Sequence, residues 1–414
     1  MAEQDLPVWL FVSYGAGHVK ALLPVAQRVR ELGLARPVYL ALTTAAAVVR
    51  AAGIPVLGFR DVMKASDVRA RAKGEELAAQ LALQTAEWDE SVAYLGLSYV
   101  DMENRLGPAH AAAQFAQYGR QSFLPLDVMQ RIFQACQPAL VITTNSPRAE
   151  QAAIHIARAM GLPSVCLLDL LGIWERDLLA RPDYADAVCV LNDRVRRFLI
   201  DAGRPASDVH VTGNPAFDTL ADTALKALGQ GYRQQMGWND LHVCLYAASP
   251  EPVRSPGVAG LGDPAWPRRI EQTLIELVRA NPRLALWVRR HPSDPSAEDV
   301  ARLTHPRIRV AGPDMPLHAY IHGSDEVVVT VSTVGVEASL SGKRVTQVRG
   351  SILDHLAPYV AMGLASRELT EAQLPNAWDA PLSNTGPQVS AICTGGAADR
   401  VVGVLQTVYE NHYG

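Results

Sequence analysis

Ser332, Thr333, Val334 and Gly335, set between the apolar run at residues 327–331 and the segment 336–340, are residue types suited to holding an anion. The β-branched run predicts a strand covered on both faces, and the small residues predict a close turn into a short helix that stops at Gly342. Backbone N–H groups at the helix start, two hydroxyls and the positive end of the helix dipole can together receive phosphate oxygens. Glu337 lies one turn further in, where a carboxylate can accept from a ribose hydroxyl. The ligand expected from these residues is a nucleotide mono- or diphosphate.

A second reactive position is His18, which follows Gly15 and Gly17 between a predicted first strand and its helix. A helix start favours neutral imidazole through the dipole, and neutral imidazole is what a general base requires. The alternative is a histidine that caps the helix or bonds a neighbouring carbonyl. Gly17 belongs to the same turn. The turn is no dinucleotide fingerprint, because Lys20 stands where the third glycine is needed, and no G-x-x-x-x-G-K-[ST] occurs anywhere. Asp169, at the exit of a strand over 164–168, is placed to orient His18 or contact an acceptor, with helix capping as the alternative. Arg290 and His291 stand where a further strand ends and a cationic pair could neutralise a phosphate, a turn with solvated arginines being the alternative, and Ser249 follows the strand over 242–247. Asp101 and Glu103 are further acidic candidates. Histidines and cysteines are dispersed without ligand spacing, so no metal is expected, and G-x-S-x-G is absent.

The elements that must position these residues alternate. Strands are expected over 8–12, 38–42 and 55–57, with helices between them stopped by Gly33 and Gly53. Residues 61–135 interrupt the rhythm as a helical insertion, after which strands over 139–143, 164–168, 187–191 and 209–212 resume it. Beyond a break at Gly213, Asn214 and Pro215, strands follow over 242–247, 285–289, 308–310, 327–331 and 345–348, with a helix over 268–280 and a last one over 400–410. Repeated βαβ units mean parallel sheets, and ligands of such sheets gather at the carboxyl ends of the strands.

At 414 residues the chain suits two domains of about 200 residues each. A net charge of −4 argues against a nucleic-acid-binding surface, and five scattered cysteines read as reduced thiols. The N-terminus has no signal-like stretch and no segment is a candidate membrane span, so a cytoplasmic enzyme is expected. Peripheral contact with the inner face of a membrane stays open through Arg194, Arg196 and Arg197, a solvated basic face being the alternative.

Three segments carry a family resemblance. Gly15, Gly17, His18, Pro24 and Ala26 resemble the G-x-G-H-x-x-P-x-x-x-L-A opening of GT-B glycosyltransferases, with Pro24 later than in the commonest spacing. Val211, Thr212, Gly213, Asn214 and Asp218 are similar to the V-T-G-N-x-x-x-D hinge of the UDP-N-acetylglucosamine 2-epimerases and of capsule and teichoic-acid type transferases. Residues 332–345 resemble their phosphate-binding helix, with Arg344 where proline is usual. The epimerase segment H-x-E-A-G-L-R-T is replaced here by Leu167, Leu168, Asp169, Leu170, Leu171 and Gly172, which lack its acid/base residues and its arginine.

The resemblance implies two doubly wound, Rossmann-like parallel-sheet domains facing across a cleft. It implies an acceptor-side domain over 1–214, a linker over 215–240, a nucleotide-sugar-binding domain over 241–395 and a C-terminal helix over 396–414 that packs back toward the first domain. The expected activity is that of a metal-independent, inverting glycosyltransferase moving a sugar from a nucleotide sugar, such as a UDP-sugar, to an acceptor hydroxyl in bacterial glycan or surface-polysaccharide biosynthesis. His18 and Asp169 would be catalytic; Gly17, Ser249, Arg290, His291, Ser332, Thr333, Val334, Gly335 and Glu337 would bind the donor. No cofactor is expected, and the partners are the donor and a glycan or lipid-linked acceptor. The alternatives are an epimerase or hydrolase of nucleotide sugars and a non-catalytic subunit of a polysaccharide assembly complex.

Overall fold

The computed structural model describes residues 6–15, 17–80, 87–255, 257–291, 305–312, 315–378 and 395–414. Ala16, Pro292 and Cys393 lie outside the described residues. By contact the chain divides into two units, Met1–Ala216 with Gly396–Gly414, and Phe217–Gly395.

The first unit is built on seven strands: β1 (Val8–Ser13), β2 (Arg36–Ala41), β3 (Val56–Leu57), β4 (Leu140–Thr143), β5 (Ser164–Leu167), β6 (Ala187–Val190) and β7 (Val209–Val211). They pair in the order β3-β2-β1-β4-β5-β6-β7, every pair parallel. The two-residue period of β1 shows why both faces must be covered. Val8, Leu10 and Val12 enter one core with the insertion helices, whereas Trp9 and Phe11 enter another with the helices Gly17–Glu31 and Ala397–Tyr413. The C-terminal helix thus completes this unit, burying Val401, Val402 and Leu405 and pairing Asp399 with Arg28 at 2.6 Å.

The insertion consists of the helices Val68–Gln80, Trp88–Leu106, Pro108–Tyr118 and Leu126–Cys136. The first two touch backbone to backbone. A Cβ on Gly74 would come within 2.1 Å of the Val92 carbonyl oxygen, and one on Gly96 within 1.9 Å of that of Ala70. Asp101 is spent inside this packing, accepting from Arg105 and from the Asp127 N–H, and Glu103 faces Arg69 at 3.5 Å.

The second unit has β8 (His242–Ala247), β9 (Leu284–Arg289), β10 (Ile308–Val310), β11 (Glu326–Val329), β12 (Arg344–Arg349) and β13 (Arg367–Thr370), paired in the order β10-β9-β8-β11-β12-β13 and again parallel. Two elements depart from the sequence reading. β13 is a half-exposed edge strand with a single aliphatic residue, Leu369, so it lacks the apolar run that marks a central strand. The helix Leu317–Gly323 is too short to show a period, yet all of its last five residues are buried. The strand before the turn at residues 332–335 ends at Val329, two residues earlier than its apolar run.

At the amino ends of β8 and β11, His242, Cys244 and Glu326 hold their donor atoms within 4.8 Å of one another. The carboxylate is already saturated by His242 at 3.1 Å, Arg367 at 3.0 Å, Trp378 at 3.0 Å and Thr346. Burial works to raise the pKa of Glu326, but these partners hold it down at about 2. The arrangement is a lock between strands, at the opposite end of the sheet from the turn at residues 332–335. No helix among the described residues is long and apolar enough to cross a membrane. Arg196 is engaged by the Val209 and Ala206 carbonyls.

Candidate active site

Each sheet reverses its strand order once, β1 against β4 in the first unit and β8 against β11 in the second. Loops leaving the carboxyl ends of two such strands run in opposite directions and open a crevice between them. The chemistry-bearing residues stand on these loops.

In the first unit, His18 is the second residue of the helix Gly17–Glu31, which follows β1, and Thr144 follows β4. Their side chains meet, His18 Nδ1 to Thr144 Oγ1 at 3.0 Å. Thr144 Oγ1 is also hydrogen-bonded to Glu150 Oε1 at 3.2 Å. The other ring nitrogen, Nε2, faces Asp169 Oδ2 at 3.7 Å. Burial lowers the His18 pKa, Asp169 opposes this and Arg148 adds to it, so imidazole is the neutral base form near pH 7.

Glu150 is fully buried beneath this pair, and burial pushes its pKa up to about 8. Its Oε1 also accepts the Tyr14 N–H at 3.1 Å, while Oε2 has no partner among the described residues. A protonated carboxyl thus anchors both the first turn and the Thr144 hydroxyl. Close approach tightens the turn further: a Cβ on Gly15 would meet Thr44 Oγ1 at 1.9 Å, whereas the space over Gly17 is open. The neighbouring Thr43 is held at φ +56°, an uncommon conformation for a β-branched residue that costs about 1–3 kcal/mol.

Asp169 is positioned through its backbone. Its N–H donates to Asn145 Oδ1 at 3.0 Å, and its carbonyl accepts from Asn214 Nδ2. Asn214 also accepts from the Ala216 N–H at 2.8 Å, so within this unit the glycine-asparagine-proline break clamps the Asp169 loop. Glu175, six residues on, has its pKa raised to about 7 by burial and by the charge of Asp169. Neither Glu150 nor Thr144 was marked by the sequence, since a lone glutamate in an alanine-rich helix carries no motif.

In the second unit, Ser332, Thr333, Val334 and Gly335 leave β11, and Ser249 leaves β8 beside them. The turn is tighter than a simple open cradle. The N–H groups of Gly335, Val336 and Glu337 are bonded to the Ser332 and Thr333 carbonyls, and the Val334 N–H lies 3.4 Å from Ser332 Oγ. At the start of the helix Val334–Leu340, Thr333 is exposed and Ser332 half-buried. Tyr359 fixes the turn from behind, its hydroxyl donating to the Ser332 carbonyl at 2.9 Å and its ring packed under Gly335. Glu337 accepts from His318 Nε2 at 2.8 Å, a partner the sequence reading missed because it lies 19 residues upstream on the short helix Leu317–Gly323.

Around the same crevice, buried Glu251 ties two loops together, accepting from Ser351 Oγ at 2.6 Å and the Ile352 N–H at 3.0 Å. Arg290 is held by Glu271 at 2.7 Å, and Arg268 shares that carboxylate at 2.9 Å, so its charge is engaged in an internal ion-pair cluster. His291 is exposed at the end of β9.

No protein-family model and no curated protein matches this chain. Among solved structures it is similar to the MnaA–UDP co-structure from S. aureus, at 14% identity over 98% of both chains with a TM-score of 0.58. It is similar to the UDP-GlcNAc 2-epimerase of Neisseria meningitidis bound to UDP-GlcNAc, at 14% identity over 97% of this chain and 100% of that one with a TM-score of 0.57. It is also similar to the glycotransferase of kitacinnamycin, at 14% identity over 99% and 96% of the two chains with a TM-score of 0.51. The fold is GT-B, two Rossmann-like units each with a parallel sheet, as transferases and nucleotide-sugar epimerases share it.

Proposed function

We propose that the protein is a metal-independent, inverting glycosyltransferase that uses a nucleotide sugar, with UDP as the nucleotide. The observation that supports the reading is the placement of His18: Nδ1 bonds the Thr144 hydroxyl at 3.0 Å, and Nε2 faces Asp169 at 3.7 Å in a half-buried position. In this reading Nε2 takes the proton of an acceptor hydroxyl as its oxygen bonds the anomeric carbon. The bond from that carbon to the nucleotide phosphate breaks, and the phosphate leaves with the electron pair. Direct displacement inverts the anomeric centre. In the second unit the Ser332 and Thr333 hydroxyls would receive the phosphate, and Glu337, oriented by His318, would hold the ribose. UDP as the nucleotide is supported by the ligands named for two of the similar structures.

A second reading, an epimerase or hydrolase of nucleotide sugars, is favoured by Glu175. A carboxyl group raised to about 7 beside the Asp169 carboxyl is an acid/base pair that needs no acceptor. Incubating the protein with UDP-GlcNAc alone, and then with a panel of sugar acceptors and EDTA, separates the readings. Transfer that requires an acceptor, inverts the linkage and survives EDTA supports the transferase. Isomerisation or UDP release without an acceptor replaces it with the second reading, and loss of activity in EDTA removes metal independence.

A further inference from the structure

Beside the turn that carries His18, the helical insertion leaves a cavity of about 740 Å³ whose walls combine cations with aromatic rings. Lys73, Tyr99, Phe115, Tyr118, Arg120 and Arg148 line it. Tyr99 and Phe115 meet edge to face at 5.5 Å, and the Lys73 ammonium lies 4.8 Å over the Tyr99 ring. Lys73 has its counter-charge in Glu76 at 2.8 Å. The two arginines differ: among the described residues no carboxylate pairs with Arg120 or Arg148.

Arg148 is the informative one. It is half-buried, its guanidinium lies 3.9 Å over the ring of Tyr14, and its Nε donates to Ser146 Oγ at 3.3 Å. The carboxyl closest to it in sequence, that of Glu150, is held neutral by burial. A partly desolvated cation without a counter-charge is unfavourable on its own and becomes favourable when an anion arrives. A guanidinium fork matches carboxylate and phosphate, while the exposed Tyr118 offers a face on which a sugar or aromatic ring can lie, backed by Tyr99 and Phe115. Tyr14 connects this pocket to the base, because its backbone N–H shares Glu150 with Thr144, which holds His18.

Resting on the transferase reading above, we infer that the insertion pocket holds the acceptor, and that the acceptor is a ring compound bearing a carboxylate or phosphate. The insertion thereby selects an anionic acceptor and delivers its hydroxyl toward His18.

The test is calorimetric binding to the full chain, at fixed ionic strength, of 4-nitrophenyl β-D-glucuronide, 4-nitrophenyl phosphate and neutral 4-nitrophenyl β-D-glucoside. At least one anionic probe is expected to bind tenfold or more tightly than the glucoside, and the tighter one identifies the anionic group. The Arg120→Gln/Arg148→Gln variant should lose that preference, whereas Arg69→Gln, on an exposed arginine outside the pocket, should keep it. If the double variant does not fold, Arg120→Gln alone, at an exposed position, should still reduce the preference at least threefold. Equal binding of all three probes, no binding of any, or an unchanged preference in the variants overturns the inference. UDP binding is read in parallel: UDP bound without an anion preference removes the pocket and leaves the nucleotide reading, and the reverse result removes the nucleotide reading alone.

Discussion

Glu150 gives the sharpest quantitative expectation, because it is a fully buried carboxyl with one oxygen unpaired among the described residues. The rise of its pKa from an ordinary 4.5 to about 8 means that the folded chain keeps this proton where the unfolded chain releases it. Stability from this group is therefore fully present below about pH 4.5 and is lost as pH rises toward about 8, after which it is level. At about 1.4 kcal/mol per pH unit, the full loss is roughly 5 kcal/mol, an upper bound because water and small rearrangements relieve part of the burial cost. Glu150→Gln keeps an acceptor for the Tyr14 N–H and the Thr144 hydroxyl but cannot ionise. Urea unfolding of wild type and variant at pH 5, 7 and 9 should show similar stabilities at pH 5 and a variant more stable by at least about 2 kcal/mol at pH 9. The difference between the two curves cancels every other titrating group. Parallel curves, within about 0.5 kcal/mol across the range, would refute a protonated Glu150.

Three further expectations follow from the same geometry. His18→Ala should lower turnover by about 10²–10⁴-fold with UDP affinity unchanged, and the wild-type rate should rise with pH through a pKa below 6.5, since burial lowers that of His18; an unaltered turnover removes the base role, and a falling limb near pH 7 marks Glu175 as an acid. Glu337→Gln should weaken UDP binding by about tenfold or more, the worth of a hydrogen bond to a charged group, while binding of pyrophosphate stays within twofold; calorimetry that finds UDP unaffected removes the ribose contact. Gly96→Leu should cost at least about 2 kcal/mol in urea unfolding, because its Cβ would stand 1.9 Å from the Ala70 carbonyl oxygen; a smaller cost would mean that the two insertion helices can part.

What the sequence made legible was what depends on nearby residues. The apolar runs of β1, β8 and β11 fixed parallel strands, and the small-residue turns after β1 and β11 located both crevices. Pairings across the fold were invisible to it. His18 meets Thr144 over 126 positions, and Glu337 meets His318 over 19, so neither contact has a spacing that local periodicity can reveal. Burial was the other hidden quantity. Glu150 reads as an ordinary helical acid until the packing of β1, β4 and its own helix removes it from water. The reverse holds for Arg290, whose position at a strand end suggested an outward cation but whose charge is taken by Glu271 from the helix Trp266–Ala280.

The helix Ala397–Tyr413 bears on how the chain is made as well as on how it is held. Val401, Val402 and Leu405 fill the first unit's core with Val25 and Val29, so that core cannot close before residues 397–405 have been made. Everything from Phe217 to Gly395 is synthesised in the meantime. At about 5–20 residues per second, the wait is roughly 10–40 seconds. During it the groove beside Trp9 and the helix Gly17–Glu31 exposes apolar surface, while the second unit, continuous in sequence, has all its strands available and can fold first. A unit whose first strand is β1 is thus completed only after the second unit, continuous in sequence, has been made.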